Sequence, residues 1–352
     1  MVTVLVVDDS AFMRKALTTL ISQDANIEIV GTARDGEEAL QKVASLDPDV
    51  VTMDIEMPRL DGLATLQRIM KTAPRPVIMI SSLTEAGADA TLRALEYGAL
   101  DFIPKSLSTN HQLFAQELTK KIRAVARKRA LMQLRFGRES GAHAFRPAPT
   151  APPLSPSAPC RGARDVVAIG VSTGGPPAVQ KILSSLPENF PACILIAQHM
   201  PAAFTGPFAK RLDSVCRIGV SEAQPGDRIK PGHAYVAPGG KHLMVQMRGP
   251  LLEVGITTEP AAALYKPSAT VLFESVGKYV GRKALGVILT GMGSDGLEGM
   301  RTLKERGGYV LAQNEQSCVV YGMPKAVVDA GLADQILDVD HVADALVTAV
   351  RG

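Results

Sequence analysis

The chain is 352 residues long, 46% hydrophobic and only 4% aromatic, with no tryptophan and a formal net charge of +3. That length is comfortable for two domains, and the near balance of charge removes the electrostatic argument for nucleic acid or an anionic membrane as partner. The four cysteines (Cys160, Cys193, Cys216 and Cys318) form no CxxC pair, the apolar N-terminal stretch is too short for a signal peptide, and no apolar run approaches a membrane span, so the expectation is a soluble, cytoplasmic protein with reduced thiols.

The first half alternates strand and helix. Val2–Val7 is a continuous apolar run, the pattern of a buried strand, and residues 11–21 place Phe12, Ala16, Leu17 and Leu20 at helical spacing. Strands are then expected over 27–31, 50–53, 77–80 and 100–103, and helices over 36–46, 63–71, 88–97 and 107–134. Such alternation predicts a parallel sheet covered on both faces, with its site at the carboxyl ends of the strands. Asp8 and Asp9 end the first strand, Asp54 the third and Ser81 the fourth, while Lys105 follows the fifth. Clustered carboxylates repel unless a cation sits among them, and a hard cation such as Mg²⁺ prefers oxygen ligands. A carboxylate there can accept a phosphoryl group as an acyl phosphate, with a lysine and a hydroxyl holding its oxygens. Any one of these residues alone reads equally well as a loop residue or a cap, as Ser10 does for the first helix.

The segments VLVVDDSAFMR, VVTMDIEMPRLDG, VIMISSLT and ALDFIPK, in that order, resemble the response-regulator receiver domain over residues 1–125. The resemblance implies a five-stranded, flavodoxin-like parallel fold with Asp54 as phosphoacceptor. It implies Asp9 as a direct Mg²⁺ ligand, Asp8 as its support through water, and Glu56 as the donor of a backbone carbonyl. Ser81 and Lys105 would read out the phosphoryl group, and Phe102 holds the switch-aromatic position. Ser106 departs from the family's usual proline after the lysine, which puts the expected cis peptide there in question.

Residues 126–164 read as a helical extension followed by a flexible linker, since RPAPTAPPLSPSAPCRGAR is rich in Pro, Ala and Ser and lacks apolar periodicity. The basic residues over 123–138 read as a solvated surface.

The second half, 165–352, is again α/β. A short apolar strand (166–169) runs into Gly170-Val171-Ser172-Thr173-Gly174-Gly175, and Pro176-Pro177 then opens a helix. Ser172 should therefore sit on a sharp strand-to-helix turn, with the helix's unpaired N–H groups aimed at whatever it attacks. The turn matches the G-x-S-x-G nucleophile elbow, and by itself it suits an anion cradle equally well. A helix (178–186) and a strand (192–197) lead to Gln198-His199-Met200-Pro201, and a helix over 204–212 follows. Residues 218–230 are turn-rich. Short strands at 234–237, 243–246 and 251–255 suggest an antiparallel insert. A helix (269–279) and an apolar strand (285–290) precede Gly291-Met292-Gly293-Ser294-Asp295-Gly296. A helix (297–306), a strand (309–312) and two helices (325–330 and 342–351) complete the chain.

Three strand ends thus carry Ser172, His199 and Asp295. Acyl transfer at neutral pH needs a hydroxyl nucleophile, a base for its proton and a group orienting that base, and this set holds one of each. The other histidines (His111, His143, His233, His242 and His341) read as ordinary surface or core residues, and Asp295 alone could be a helix cap. The order Ser…His…Asp departs from the α/β-hydrolase order, and no P-loop motif occurs.

IGVSTGGP, AQHMP, YVAPGGKH and ILTGMGSDG resemble the catalytic domain of the chemotaxis protein-glutamate methylesterases, the CheB family, in which a receiver domain stands in front. The resemblance implies Ser172 as nucleophile, His199 as base and Asp295 as its orienting partner. It implies Thr173 in support and the Met292 N–H as an oxyanion donor. The implied substrates are glutamate γ-methyl esters, and also glutamines, on the cytoplasmic domains of chemoreceptors. A chemotaxis histidine kinase would be the phosphodonor; Mg²⁺ serves phosphorylation and no cofactor serves hydrolysis. The expected regulation is a receiver domain covering the Ser172 cleft until Asp54 is phosphorylated, so that deleting residues 1–140 raises basal activity. The rival readings are a non-catalytic output domain that binds a nucleotide or anion at Ser172–Gly175, which leaves His199 and Asp295 without roles, and a DNA-binding regulator, for which no basic recognition helix is found.

Overall fold

In a computed structural model, residues 1–105, 111–129 and 164–351 are described. Most of the expected linker, with Cys160, and the Ser106 peptide lie outside the described residues. The chain forms two compact units, one within residues 1–150 and the other within 151–352.

The first unit is a five-stranded parallel sheet of β1 (Val2–Val7), β2 (Ile27–Ala33), β3 (Val50–Asp54), β4 (Val77–Ser81) and β5 (Asp101–Pro104), in the order β2-β1-β3-β4-β5. Every residue of β3 and β4 is buried, which explains why they are apolar except for Thr52 and the terminal Asp54 and Ser81. Helices α1 (Ala11–Ile21), α2 (Gly36–Leu46), α3 (Gly62–Thr72) and α4 (Glu85–Glu96) start at Ser10, Asp35, Asp61 and Thr84. Each of those side chains accepts a first-turn N–H and so satisfies a donor that would otherwise be orphaned. Ser10 thus does cap α1, through the Met13 N–H at 3.4 Å. Helix α5 spans His111–Ala126, inside the longer range expected.

The second unit holds a seven-stranded sheet, all of it parallel. Its strands are β6 (Val166–Val171), β7 (Cys193–Gln198), β8 (Gly219–Glu222), β9 (His233–Val236), β12 (Ala284–Ile288), β13 (Tyr309–Gln313) and β14 (Gln335–Leu337), in the order β14-β13-β12-β6-β7-β9-β8. The antiparallel insert is only β10 (His242–Arg248) with β11 (Leu251–Thr257). Residues 234–237, expected in that insert, belong instead to β9 of the main sheet. Strands β8 and β14 were not anticipated, because both are short, half-exposed edge strands whose alternation is too brief to read. The helices are α6 (Gly175–Ser184), α7 (Ala202–Val215), α8 (Ala269–Tyr279), α9 (Leu297–Glu305), α10 (Met323–Asp329) and α11 (Val339–Arg351).

From β6 the chain moves outward to one side through β7, then returns to the other side at β12. The carboxyl ends of neighbouring β6 and β12 therefore bound a crevice at the topological switch point, where open α/β sheets place their ligands. Among the described residues no helix is long and apolar enough to cross a membrane.

Candidate active site and phosphoacceptor site

Ser172 is the first residue after β6, and its backbone is held on three sides. Its N–H donates to Thr290 O (3.0 Å), and its carbonyl accepts from the Gly175 N–H (2.8 Å) and from Gln198 Nε2 (3.1 Å). Its hydroxyl makes no hydrogen bond among the described residues. Gly174 turns the chain at φ +74°, and a Cβ there would lie 2.4 Å from Val319, so only glycine fits the corner. The amide of Gly175 is already spent on Ser172, and Pro176 and Pro177 have none. The first turn of α6 itself is therefore poorer in free donors than expected.

The second loop of the crevice follows β12. Gly291 packs so closely on Ser172 that an added Cβ would meet the serine Cβ at 2.8 Å. Its N–H donates to Val320 O (3.0 Å), and its carbonyl accepts from Gly322 and Met323 (3.1 and 2.9 Å). This clamps the turn and leaves the next amide, that of Met292, donating to no protein group among the described residues. Thr173 is buried, and its carbonyl accepts from Thr290 Oγ1 at 2.9 Å.

His199 follows β7, and its backbone N–H donates to Val171 O (3.0 Å), which sets it beside Ser172. His199 Nε2 lies 2.8 Å from Asp295 Oδ2, and both side chains are only 9% exposed. A carboxylate can only accept, so Nε2 carries the proton in this pair, and in the neutral ring Nδ1 is the acceptor. Nδ1 is buried and has no protein partner. Asp295 also reaches the N-terminus of α8: Oδ2 accepts from the Ala269 N–H (2.7 Å), and Oδ1 from the Thr270 N–H (3.1 Å) and Ser268 Oγ (2.9 Å). Burial would raise its pKa, but the His199 bond and the α8 amides win and hold the carboxyl well below the usual carboxylate range. Ser268 is the N-cap of α8, accepting from the Val271 N–H, and Asp295 takes the next two amides, so it serves the start of α8 and His199 at once rather than the helix that follows it. The structure joins His199 to Asp295 directly. It sets Ser172 beside them through the backbone, without a hydrogen bond between the Ser172 and His199 side chains.

In the first unit, carboxylate oxygens of Asp8, Asp9 and Asp54 all lie within 4.8 Å of one another. Lys105 Nζ sits 2.6 Å from Asp54 Oδ2 and 3.4 Å from Asp8 Oδ2. Burial raises the pKa of both Asp8 and Asp54, and Lys105 only partly offsets it. Asp8 Oδ1 accepts from the Ser10 N–H, whereas buried Oδ2 has only the long 3.4 Å contact with the Lys105 ammonium. An oxygen-rich, partly unsatisfied set of this kind fits Mg²⁺. Glu56 is exposed, which is consistent with a contribution from its backbone alone. Ser81 Oγ is turned into α4, accepting from Thr91 Oγ1 (2.6 Å) and lying 3.2 Å from Gly87 O. Phe102 is buried.

A model of the CheB methylesterase family matches residues 167–346, and a model of the response regulator receiver domain matches residues 4–116. The chain belongs to the CheB methylesterase family. Two CheB-type relatives are similar to it over almost their whole lengths. A protein-glutamate methylesterase/protein-glutamine glutaminase 2 of Nitratidesulfovibrio vulgaris is 59% identical, covering 99% of this chain and 100% of the relative. A protein-glutamate methylesterase/protein-glutamine glutaminase of Lawsonia intracellularis is 56% identical, with 99% of each covered. The crystal structure of the Thermotoga maritima CheB methylesterase catalytic domain matches with a TM-score of 0.51 at 38% identity, covering 53% of this chain and 98% of that one.

Several residues of this CheB site escaped the sequence reading. Gln198 is buried, and its Nε2 bridges the carbonyls of Ser172 and His199, both at 3.1 Å. Ser268 holds Asp295, and the Ser268 N–H in turn donates to Nδ1 of buried His242 (3.1 Å). His242 is therefore a core residue bonded through Nδ1, with its buried Nε2 lacking a protein partner among the described residues, and it lies one bond behind the site. The Tyr265 ring stacks on His199 with centroids 4.2 Å apart and planes 12° off parallel. Only the adjacency of Gln198 to a strand end was visible in the sequence; a ring stack has no periodic or motif signature.

Proposed function

We propose that this chain is a phosphorylation-controlled serine esterase of chemotaxis adaptation. It removes methyl groups from glutamate γ-methyl esters on the cytoplasmic domains of chemoreceptors and deamidates receptor glutamines by the same acyl-transfer route. The observation that carries this reading is the His199–Asp295 pair at 2.8 Å, with a bare, buried Nδ1 beside the Ser172 turn. Ser172 Oγ attacks the ester carbonyl while His199 Nδ1 takes its proton. Asp295 fixes the tautomer and stabilises the imidazolium. The tetrahedral oxyanion accepts from the Met292 N–H, and Thr173 holds the turn in support. Collapse expels methanol, which takes its proton from His199; water, deprotonated by the same Nδ1, then frees the glutamate. An amide substrate loses ammonia by the same steps.

Asp54 is the phosphoacceptor and a chemotaxis histidine kinase the donor. Asp8, Asp9, Asp54 and the Glu56 carbonyl would hold Mg²⁺, which when bound neutralises charge on the phosphoryl oxygens. Lys105 and Ser81 read the modified carboxylate, and Phe102 couples it to the sheet edge. Residues 1–125 form the receiver, 126–164 the connection and 165–352 the catalytic domain of a cytoplasmic protein. A nucleotide- or anion-binding output domain would leave the bonded His199–Asp295 pair without a role, which favours the esterase over it.

The test is methanol release from methylated receptor membranes, with and without a small phosphodonor and Mg²⁺. Wild type should release methanol, and more of it with phosphodonor, whereas Ser172→Ala should fold and release none. A folded, phosphorylated wild type that releases no methanol would overturn the reading.

A further inference from the structure

We infer that Tyr265 is a positioning residue for the reaction: it holds the His199 imidazole in the plane from which Nδ1 receives the Ser172 proton, and it stabilises the imidazolium that results. The inference rests on the esterase reading above. The His199 ring is fixed at two points, Cγ by its own chain and Nε2 by Asp295 Oδ2 at 2.8 Å. Both points lie near one axis, and the ring can still swing about it. Nδ1 lies off that axis, so a swing carries it away from the serine, and it has no protein hydrogen bond to stop it. What blocks the swing is a flat surface against the ring face. Tyr265 supplies one, with centroids 4.2 Å apart and planes 12° off parallel. The hydroxyl end of Tyr265 lies over the turn that carries Met292: a Cβ on Gly293 would sit 3.7 Å from Tyr265 Oη. One side chain thus spans from the general base to the oxyanion loop.

The same contact has an electrostatic consequence. His199 is neutral before proton transfer and cationic after it. A cation over an electron-rich ring, well inside the 6 Å range of such contacts, is favoured over the neutral form. The interaction strengthens as the charge develops, so it lowers the barrier rather than tightening the ground state. Tyr265 lies in the irregular stretch between β11 and α8, where neither strand nor helix packing requires an aromatic ring.

The experiment compares the full chain with Tyr265→Leu, Tyr265→Met and Tyr265→Phe, reading methanol release and the NMR signals of the His199 ring. Loss of the ring should lower kcat about tenfold or more in both Leu and Met variants with KM unchanged, and Phe should restore it. The His199 ring protons, shielded by the stack, should move downfield in the Leu and Met variants and stay in place in Phe. Two non-aromatic variants, each checked by thermal melting, guard against one that does not fold. Wild-type kcat in the folded Leu or Met variant, a loss confined to KM, a Phe variant as impaired as Leu, or ring signals indifferent to all three changes would each overturn the inference. An inactive wild type would instead bring down the esterase reading, and this inference with it.

Discussion

Asp295 binds two demands into one side chain. It accepts from His199 and from the first amides of α8, so it serves both the base and the fold. Asp295→Asn should leave the chain folded yet lower kcat by roughly three to four orders of magnitude, because an amide no longer specifies the Nε2–H tautomer; steady-state methanol release reads this. Asp295→Ala should also lower stability, by about 1–3 kcal/mol for the α8 amides left without an acceptor. The pH dependence follows from the direction of the shift. The folded carboxyl titrates below its ordinary value, so its stabilisation is complete above the ordinary carboxylate range and fades as pH falls through the folded value. Urea unfolding of wild type and Asp295→Ala should therefore differ most near neutral pH, and the two curves should converge in strong acid.

At the level of elements, both sites are strand ends, and the two carry opposite strain. The ends of β1 and β3 crowd Asp8 and Asp54, whose carboxyls burial pushes up. A carboxyl raised on folding costs stability while ionised, and that cost disappears as pH falls through the raised value. Asp8→Asn should thus raise the melting temperature of the first unit near neutral pH, the gain vanishing in acid. Millimolar Mg²⁺ should stabilise wild type and leave Asp8→Asn nearly unmoved; a thermal melt with and without the ion measures both. In the second unit the ends of β6, β7 and β12 carry no such excess of charge, since the acid there is bonded by His199, Ser268 and the first amides of α8. The prolines that open α6 favour its first turn and at the same time remove two of its amide donors. The element that supplies donors instead is the clamped loop after β12, whose Met292 amide is left unspent.

For the whole molecule, the two sites belong to separate units, and the esterase chemistry needs none of the phosphoacceptor residues. Asp54→Asn should accordingly keep basal methanol release and lose its rise with phosphodonor, whereas Ser172→Ala should lose release under both conditions. Much of this organisation was already legible in the chain. The alternation of apolar strands with amphipathic helices determined two parallel α/β units, because buried parallel strands must be apolar on both faces and so stand out as continuous runs. Glycine turns and polar residues at strand ends singled out Asp8, Asp9, Asp54, Lys105, Ser172, His199 and Asp295 as candidates, because the carboxyl ends of parallel strands meet along one edge. Only the tertiary structure decided that β9 joins the main sheet and that β8 and β14 are its edges, since short, half-exposed strands leave too little pattern to read. It alone decided that Asp295 binds the first amides of α8 rather than its own helix, and that Gln198, Ser268 and Tyr265 lie around Ser172, His199 and Asp295. Those contacts join residues tens of positions apart through hydrogen bonds and a ring face, which depend on where side chains meet in space and leave no period in the sequence.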